Sequence, residues 1–104
     1  MANKVYRLRY LPLFEQDLTD TVNYITNMLK NPQAALKLVD DVEAAIFERL
    51  KNPVSFELYR SAKKRPHDYY RIYVRNYAIY YVVIDNVMEV RRFVYGARDI
   101  DRLL

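Results

Sequence analysis

Tyr70-Arg71-Ile72-Tyr73-Val74-Arg75-Asn76-Tyr77-Ala78-Ile79-Tyr80-Tyr81-Val82-Val83-Ile84-Asp85-Asn86 is the stretch that decides the fold. From Tyr69 to Arg75 the chain alternates, Tyr70, Ile72 and Val74 against Arg71, Tyr73 and Arg75. That two-residue period is the mark of a strand with one face on a core. Tyr77 to Ile84 is an unbroken apolar run of eight residues, which predicts a central strand covered on both faces. Arg75-Asn76 and Asp85-Asn86 offer tight turns on either side, since Asn and Asp tolerate positive φ. Val87 to Tyr95 then returns as the third strand of a hairpin-linked set and ends at the only glycine, Gly96.

Upstream, Val5 to Tyr10 alternates Tyr6, Leu8 and Tyr10 with Val5, Arg7 and Arg9, predicting a strand with one basic face that Pro12 closes. From Leu13 the apolar positions Phe14, Leu18, Val22, Ile25 and Leu29 recur at helical spacing, with Asp17 and Asp20 near the positive end of the helix dipole. Asn31-Pro32 predicts a second helix start, Asn capping and Pro at the first position, where a missing N–H costs nothing. Ala35, Val39, Val42, Ile46 and Leu50 form its buried stripe, Asp40, Asp41 and Glu43 its solvated face, and Asn52-Pro53 its stop. The link is short enough to force a helical hairpin. Tyr59 to Asp68, charged and without period, is expected to be an exposed loop. The fold class is therefore α+β, in the order β-α-α-β-β-β, as a single domain over residues 1–104.

Composition narrows the function. The chain has 104 residues, 52% of them hydrophobic, so it can bury one core and is not disordered. Cysteine is absent, which excludes disulfide frameworks and thiol chemistry and suits a reducing cytoplasm. No apolar run approaches a membrane span, and early charges argue against a signal peptide. The net charge of +4 is uneven: residues 1–10 sum to +3, residues 11–59 to −4 and residues 60–104 to +5. A basic half with eight of the eleven tyrosines between Tyr59 and Tyr95 suits a polyanion, because tyrosine offers a stacking face and a hydroxyl.

With this element order, the Tyr70 to Val83 stretch and the ending Arg91-Arg92-Phe93-Val94-Tyr95-Gly96-Ala97-Arg98-Asp99, the chain resembles the RelE/ParE superfamily of bacterial toxins over nearly its whole length. The resemblance implies the toxic half of a type II toxin–antitoxin module, silenced by a small acidic antitoxin. In the RelE branch such a toxin enters the ribosome and cleaves mRNA without metal. In the ParE branch it poisons DNA gyrase. The first mode leads the expectation; gyrase poisoning is the alternative, supported by the Gly-Ala-Arg-Asp ending, and an inactive binding relative is the third reading.

Metal-free RNA cleavage needs a group to activate the 2′-OH, a donor for the leaving oxygen, and cations for the phosphorane charge. By the resemblance, Arg71 and Arg98 fall on basic positions of the nuclease set and Tyr73 where a second basic residue often stands. Ala78 occupies a usual arginine position, and the late catalytic tyrosine would fall near Leu104. Tyr95, Tyr73 or His67, the only histidine, are the candidates for the missing proton carriers. Lys63, Lys64, Arg65, His67, Arg75 and Arg91 are the expected nucleic-acid contacts. Arg91 and Arg92 must point to opposite faces of a strand, so one of them tends inward, either toward a carboxylate such as Asp85 or Glu89 or across the sheet into a groove. No metal-ligand spacing, glycine-rich phosphate loop or Ser-His-Asp constellation occurs, so no cofactor is expected.

Overall fold

A computed structural model describes residues 4–60, 64–96 and 100–104. β1 (Arg7–Tyr10) leads into α1 (Pro12–Asn23), which runs on as a π-helical turn over Tyr24–Met28; α2 (Pro32–Leu50) follows. β2 (Leu58–Tyr59), β3 (Tyr69–Val74), β4 (Tyr77–Ile84) and β5 (Val87–Tyr95) complete the sheet, and α3 (Ile100–Leu103) lies near the end of the chain. The sheet order is β1-β5-β4-β3-β2, with β1 parallel to β5 and the other pairs antiparallel. The α+β expectation and the two hairpins hold, β4 and β5 having the predicted limits.

Strand alternation sorts side chains onto two faces. Ile72, Val74, Ile79, Tyr81, Met88, Val90 and Phe93 pack with Phe14, Ile25, Ala35, Leu38, Val42 and Ile46 from the helices. Tyr69, Ala78, Tyr80, Val82 and Val94 face the other way and meet Ile100 of α3. The central run is therefore apolar throughout because both of its faces are covered, as its composition requires. Burial of these apolar side chains, at about 25 cal/mol per Å², is the main term holding the layers together.

Local departures from the sequence reading have physical causes. Asn31 does cap α2, its Oδ1 accepting from the Ala34 N–H at 3.1 Å, and Pro32 takes the first turn. Leu29, expected on the buried stripe of the first helix, is 57% exposed. The π-helical turn before it, closed by Leu29 N–H to Tyr24 O at 3.2 Å, takes more residues per turn and swings Leu29 off the stripe. Pro12 opens α1 rather than closing the strand, which starts at Arg7 and not Val5. In the β3–β4 turn the positive φ falls on Arg75, at 54°, and not on Asn76; in the next turn Asp85 takes it, at 56°. β2 ends on Tyr59, the first residue of the segment read as a loop, and its pairs Leu58↔Tyr70 and Tyr59↔Tyr69 extend the sheet by one short edge strand. Among the described residues no helix is long and apolar enough to cross a membrane.

Candidate functional site

Alternation on β3 puts Ile72 and Val74 into the core and sends Arg71 and Tyr73 to the open side of the sheet. There an open pocket of about 420 Å³ is lined by Arg71, Tyr73, Arg75, Ala78, Tyr80 and Tyr95, with Asn76, Tyr77 and Gly96. Four of the expected site residues, Arg71, Tyr73, Arg75 and Tyr95, thus meet in one place. Arg71 and Tyr73 also line a neighbouring pocket of about 400 Å³ with Arg49, Phe56, Glu57, Leu58, Tyr59 and Arg60. The Arg71 guanidinium stands 4.6 Å from the Tyr73 ring centre and 5.0 Å from that of Tyr59, inside cation–π range of both. No carboxylate among the described residues pairs with it.

Three other expected cations are already engaged. Arg75 is ion-paired with Asp41 of α2, a residue read from the sequence as merely solvated. Arg65, its side chain 12% exposed, donates to the Asp101 backbone oxygen at 2.9 Å and pairs with the Asp101 carboxylate at 3.3 Å, holding α3. Arg91 donates to Glu89 at 2.9 Å and to the Tyr69 hydroxyl at 3.0 Å. These bonds raise the Arg91 pKa against the opposing pull of burial, which is the largest single influence. Glu89, 7% exposed, is further approached by Arg9 at 3.8 Å. Arg65 and Arg91 both lie within 6 Å of the Tyr69 ring, so they form an internal ionic network and do not reach the pocket around Arg71. The expectation that one of Arg91 and Arg92 seeks Glu89 is met by Arg91. A register shift follows Tyr80, with Tyr80 opposite Arg92 and Tyr81 opposite Val90, leaving Arg91 as the extra residue of a bulge. Arg92 turns to Asp17 of α1, at 2.7 Å.

His67 is exposed and lines a separate pocket with Lys4, Tyr6, Pro66, Asp68, Tyr70 and Asp85. Lys64 is exposed; Lys63 and Arg98 lie outside the described residues. Ala78 is 3% exposed and forms part of the floor beside Arg71, offering only a methyl group where the nuclease pattern has an arginine. Among the described residues the lining of the first pocket holds no histidine or carboxylate. Burial, then the neighbouring Tyr95 hydroxyl, raises the Tyr77 pKa above 10.0, which makes that phenol a poorer proton carrier near neutrality.

Sequence reading missed Arg49. From the last turn of α2 it stands 3.5 Å over the Phe56 ring and donates to the Tyr81 hydroxyl at 2.9 Å, while that hydroxyl donates to the Pro53 oxygen at 2.7 Å. A basic residue in the last turn of a helix reads as a dipole partner, so nothing in the sequence points to this reach. The bonds fix the segment after α2, and with it the second pocket.

The shape and content of this chain have a counterpart. The family model described as ParE toxin of type II toxin-antitoxin system, parDE, matches residues 8–100. The chain belongs to the ParE toxin family. In the chromosomal ParDE TA system from P. aeruginosa, a chain 16% identical superposes with a TM-score of 0.70, covering 90% of this chain and 99% of that one, so the two share a fold. A chain of the RelB-RelE antitoxin-toxin complex from Methanococcus jannaschii aligns at 21% identity and a TM-score of 0.46, over 84% of this chain and 88% of that one. Comparison with curated proteins returned no match.

Proposed function

We propose that this ParE-family toxin acts by binding its target through the Arg71 pocket, with DNA gyrase as that target, and that it cuts no RNA. The carrying observation is a guanidinium set between two tyrosines and paired with no carboxylate among the described residues, in a pocket whose lining there holds no histidine or carboxylate. Arg71 is free to meet a carboxylate or phosphate of a partner, bidentate where geometry allows. Cleavage would in addition require a base and an acid at the scissile bond; Ala78, His67 in its separate pocket and the internally paired Arg75 supply neither, which leaves only tyrosine hydroxyls among the described lining for both tasks. The toxin is held in the cytoplasm by a cognate antitoxin, a small acidic protein whose flexible segment orders against the basic surface.

The ribosome-dependent nuclease is the second reading, favoured by one feature: Tyr59 and Tyr73 flank Arg71 as stacking platforms for unpaired bases. Two assays run together separate the modes. Purified toxin incubated with gyrase and supercoiled DNA should trap cleaved complexes, and Arg71→Ala should abolish trapping, while mRNA 5′ ends mapped after brief expression stay intact. Cuts phased to the ribosomal A site and lost in Arg71→Ala would overturn the proposal in favour of the nuclease. Co-purification of the product of the adjoining reading frame tests the antitoxin.

A further inference from the structure

Adjoining the Arg71 pocket, with which it shares Tyr77 and Tyr95, a cleft of about 590 Å³ opens between the helical layer and the ends of β4 and β5, lined also by Asp20, Thr21, Tyr24, Ile25 and Leu29. Its three tyrosines come from different elements. Tyr24 begins the π-helical turn and is 55% exposed, Tyr95 ends β5 at 54% exposure, and Tyr77 stands between, its ring centre 5.3 Å from that of Tyr95 and tilted by 66°. Burial and then Tyr95 raise the Tyr77 pKa, Arg75 opposes them, and Tyr24 adds a smaller upward influence. At the rim, Asp20 accepts from Gln16 Nε2 at 2.8 Å through Oδ1 and pairs with no cation among the described residues. Several aromatic walls plus one carboxylate is the construction that selects an organic cation, the ring faces supplying quadrupole attraction and the carboxylate the counter-charge. Ile25 and exposed Leu29 add apolar surface for the stem of a long side chain or for its neighbours.

We propose that this cleft receives one basic side chain, arginine or lysine, flanked by apolar residues, presented by the protein that docks on the toxin. The inference rests on the reading that an antitoxin covers the chain, and it names what that partner must carry. Charge gives the reason for the position: a basic toxin attracts acidic segments over much of its surface, whereas this cleft rewards a single cation at one register and so fixes alignment. The π-helical turn is what brings Tyr24 and Leu29 to the cleft, because an uninterrupted α-helix would keep Leu29 on the buried stripe.

The purified full chain tests this without gyrase or antitoxin, so its outcome is independent of the poisoning assay. NMR titration with the capped peptide Leu-Arg-Leu should shift the Tyr24 and Tyr95 ring signals together and saturably. The same peptide with citrulline, equal in shape and uncharged, should bind at least about fivefold more weakly. Asp20→Asn, and separately Tyr24→Leu, which keeps the apolar volume, should each weaken the arginine peptide by about threefold or more while the remaining spectrum stays folded. Equal binding of the citrulline peptide, indifference to Asp20→Asn, or no shift at tens of millimolar overturns the proposal. Tetramethylammonium binding as tightly as the peptide overturns it as well, by making the cleft a small-cation site and not a docking surface.

Discussion

Asp17 is where the geometry yields a quantitative test. Its Oδ2 accepts from Arg92 Nε at 2.7 Å and from the Phe93 N–H at 3.0 Å, and its Oδ1 accepts from Arg92 Nη2 at 3.0 Å. β1 covers β5 only as far as Val90, so this carboxylate satisfies a strand edge that has no neighbour and ties α1 to it. Asp17→Ala removes three charge-assisted bonds and leaves Arg92, 16% exposed at its side chain, with the Leu103 oxygen at 3.1 Å as its one remaining acceptor among the described residues. Partly buried charges stripped of their partner cost about 3 kcal/mol, most of it desolvation left uncompensated. With a urea dependence of about 1.2 kcal/mol/M the unfolding midpoint should fall by about 2.5 M. Asp17→Asn keeps an acceptor for Phe93 and should lose about half as much. Adding Arg92→Met to Asp17→Ala should recover part of the loss, because the orphaned guanidinium is gone. Exposed Thr19→Ala, two residues along α1 and on its opposite side, should stay within about 0.5 kcal/mol. Equilibrium urea titrations at neutral pH decide it. An Asp17→Ala loss below about 1 kcal/mol would show that the edge is satisfied without this carboxylate.

Tyr81→Phe removes a fully buried hydroxyl that donates to Pro53 and accepts from Arg49, and should cost about 1–3 kcal/mol in the same titration, with the Phe56 segment losing amide protection first. Arg71→Ala, by contrast, breaks no ion pair among the described residues and should lower stability by no more than about 1 kcal/mol, seen in thermal melts, while removing toxicity; a larger loss would make Arg71 a structural residue. Burial is the leading cause raising the pKa of Tyr10, Tyr59, Tyr70, Tyr77 and Tyr81 above 10.0, so each holds its proton more tightly folded than unfolded. Stability from these groups is intact below pH 10 and drains away as pH climbs past that value, because unfolding then releases protons. Urea midpoints measured from about pH 9 upward should turn down above pH 10, less so in Tyr70→Phe, and a flat profile would refute the assignment.

The strands were legible because their periods were clean. Tyr77 to Ile84 read as central because both faces needed cover, and the start of α2 read correctly because Asn31 and Pro32 act locally, although Leu38, and not the expected Val39, is the buried residue of its stripe. What escaped depends on contacts distant in sequence. β1 lies parallel beside β5, a pairing set by the path of the helices between them and invisible in either strand. β2 has two residues, too few for a period, and α3 has four. For the site, alternation correctly sent Arg71 and Tyr73 to one face and gathered Tyr95 with them. It could not foresee that Arg75 and Arg65 would meet Asp41 and Asp101, since these carboxylates lie on other elements, whereas Glu89, on the same strand two residues from Arg91, was within reach of the strand period. Counting charge along a chain measures supply, and only packing reveals demand.

That distinction bears on what the basic half of the chain is for. A guanidinium already bonded to an internal carboxylate must give up that bond before a partner's anion can use it, and the exchange gains little. Arg65, Arg91 and Arg92 are mostly or partly buried in such bonds, so their contribution to the surface potential is cancelled within a few ångströms. Arg71 carries no such debt: its neighbours are the π faces of Tyr59 and Tyr73, which orient the cation without neutralising it. A side chain held this way is preorganised for an incoming carboxylate or phosphate, and its plane can stack while its edge donates. One free, oriented cation beside a tyrosine-lined pocket suffices for recognition of an anionic partner. It does not suffice for cleavage of a phosphodiester, which requires protons to be moved at both ends of the breaking bond, and it is on this difference in what each task requires that the binding mode is preferred.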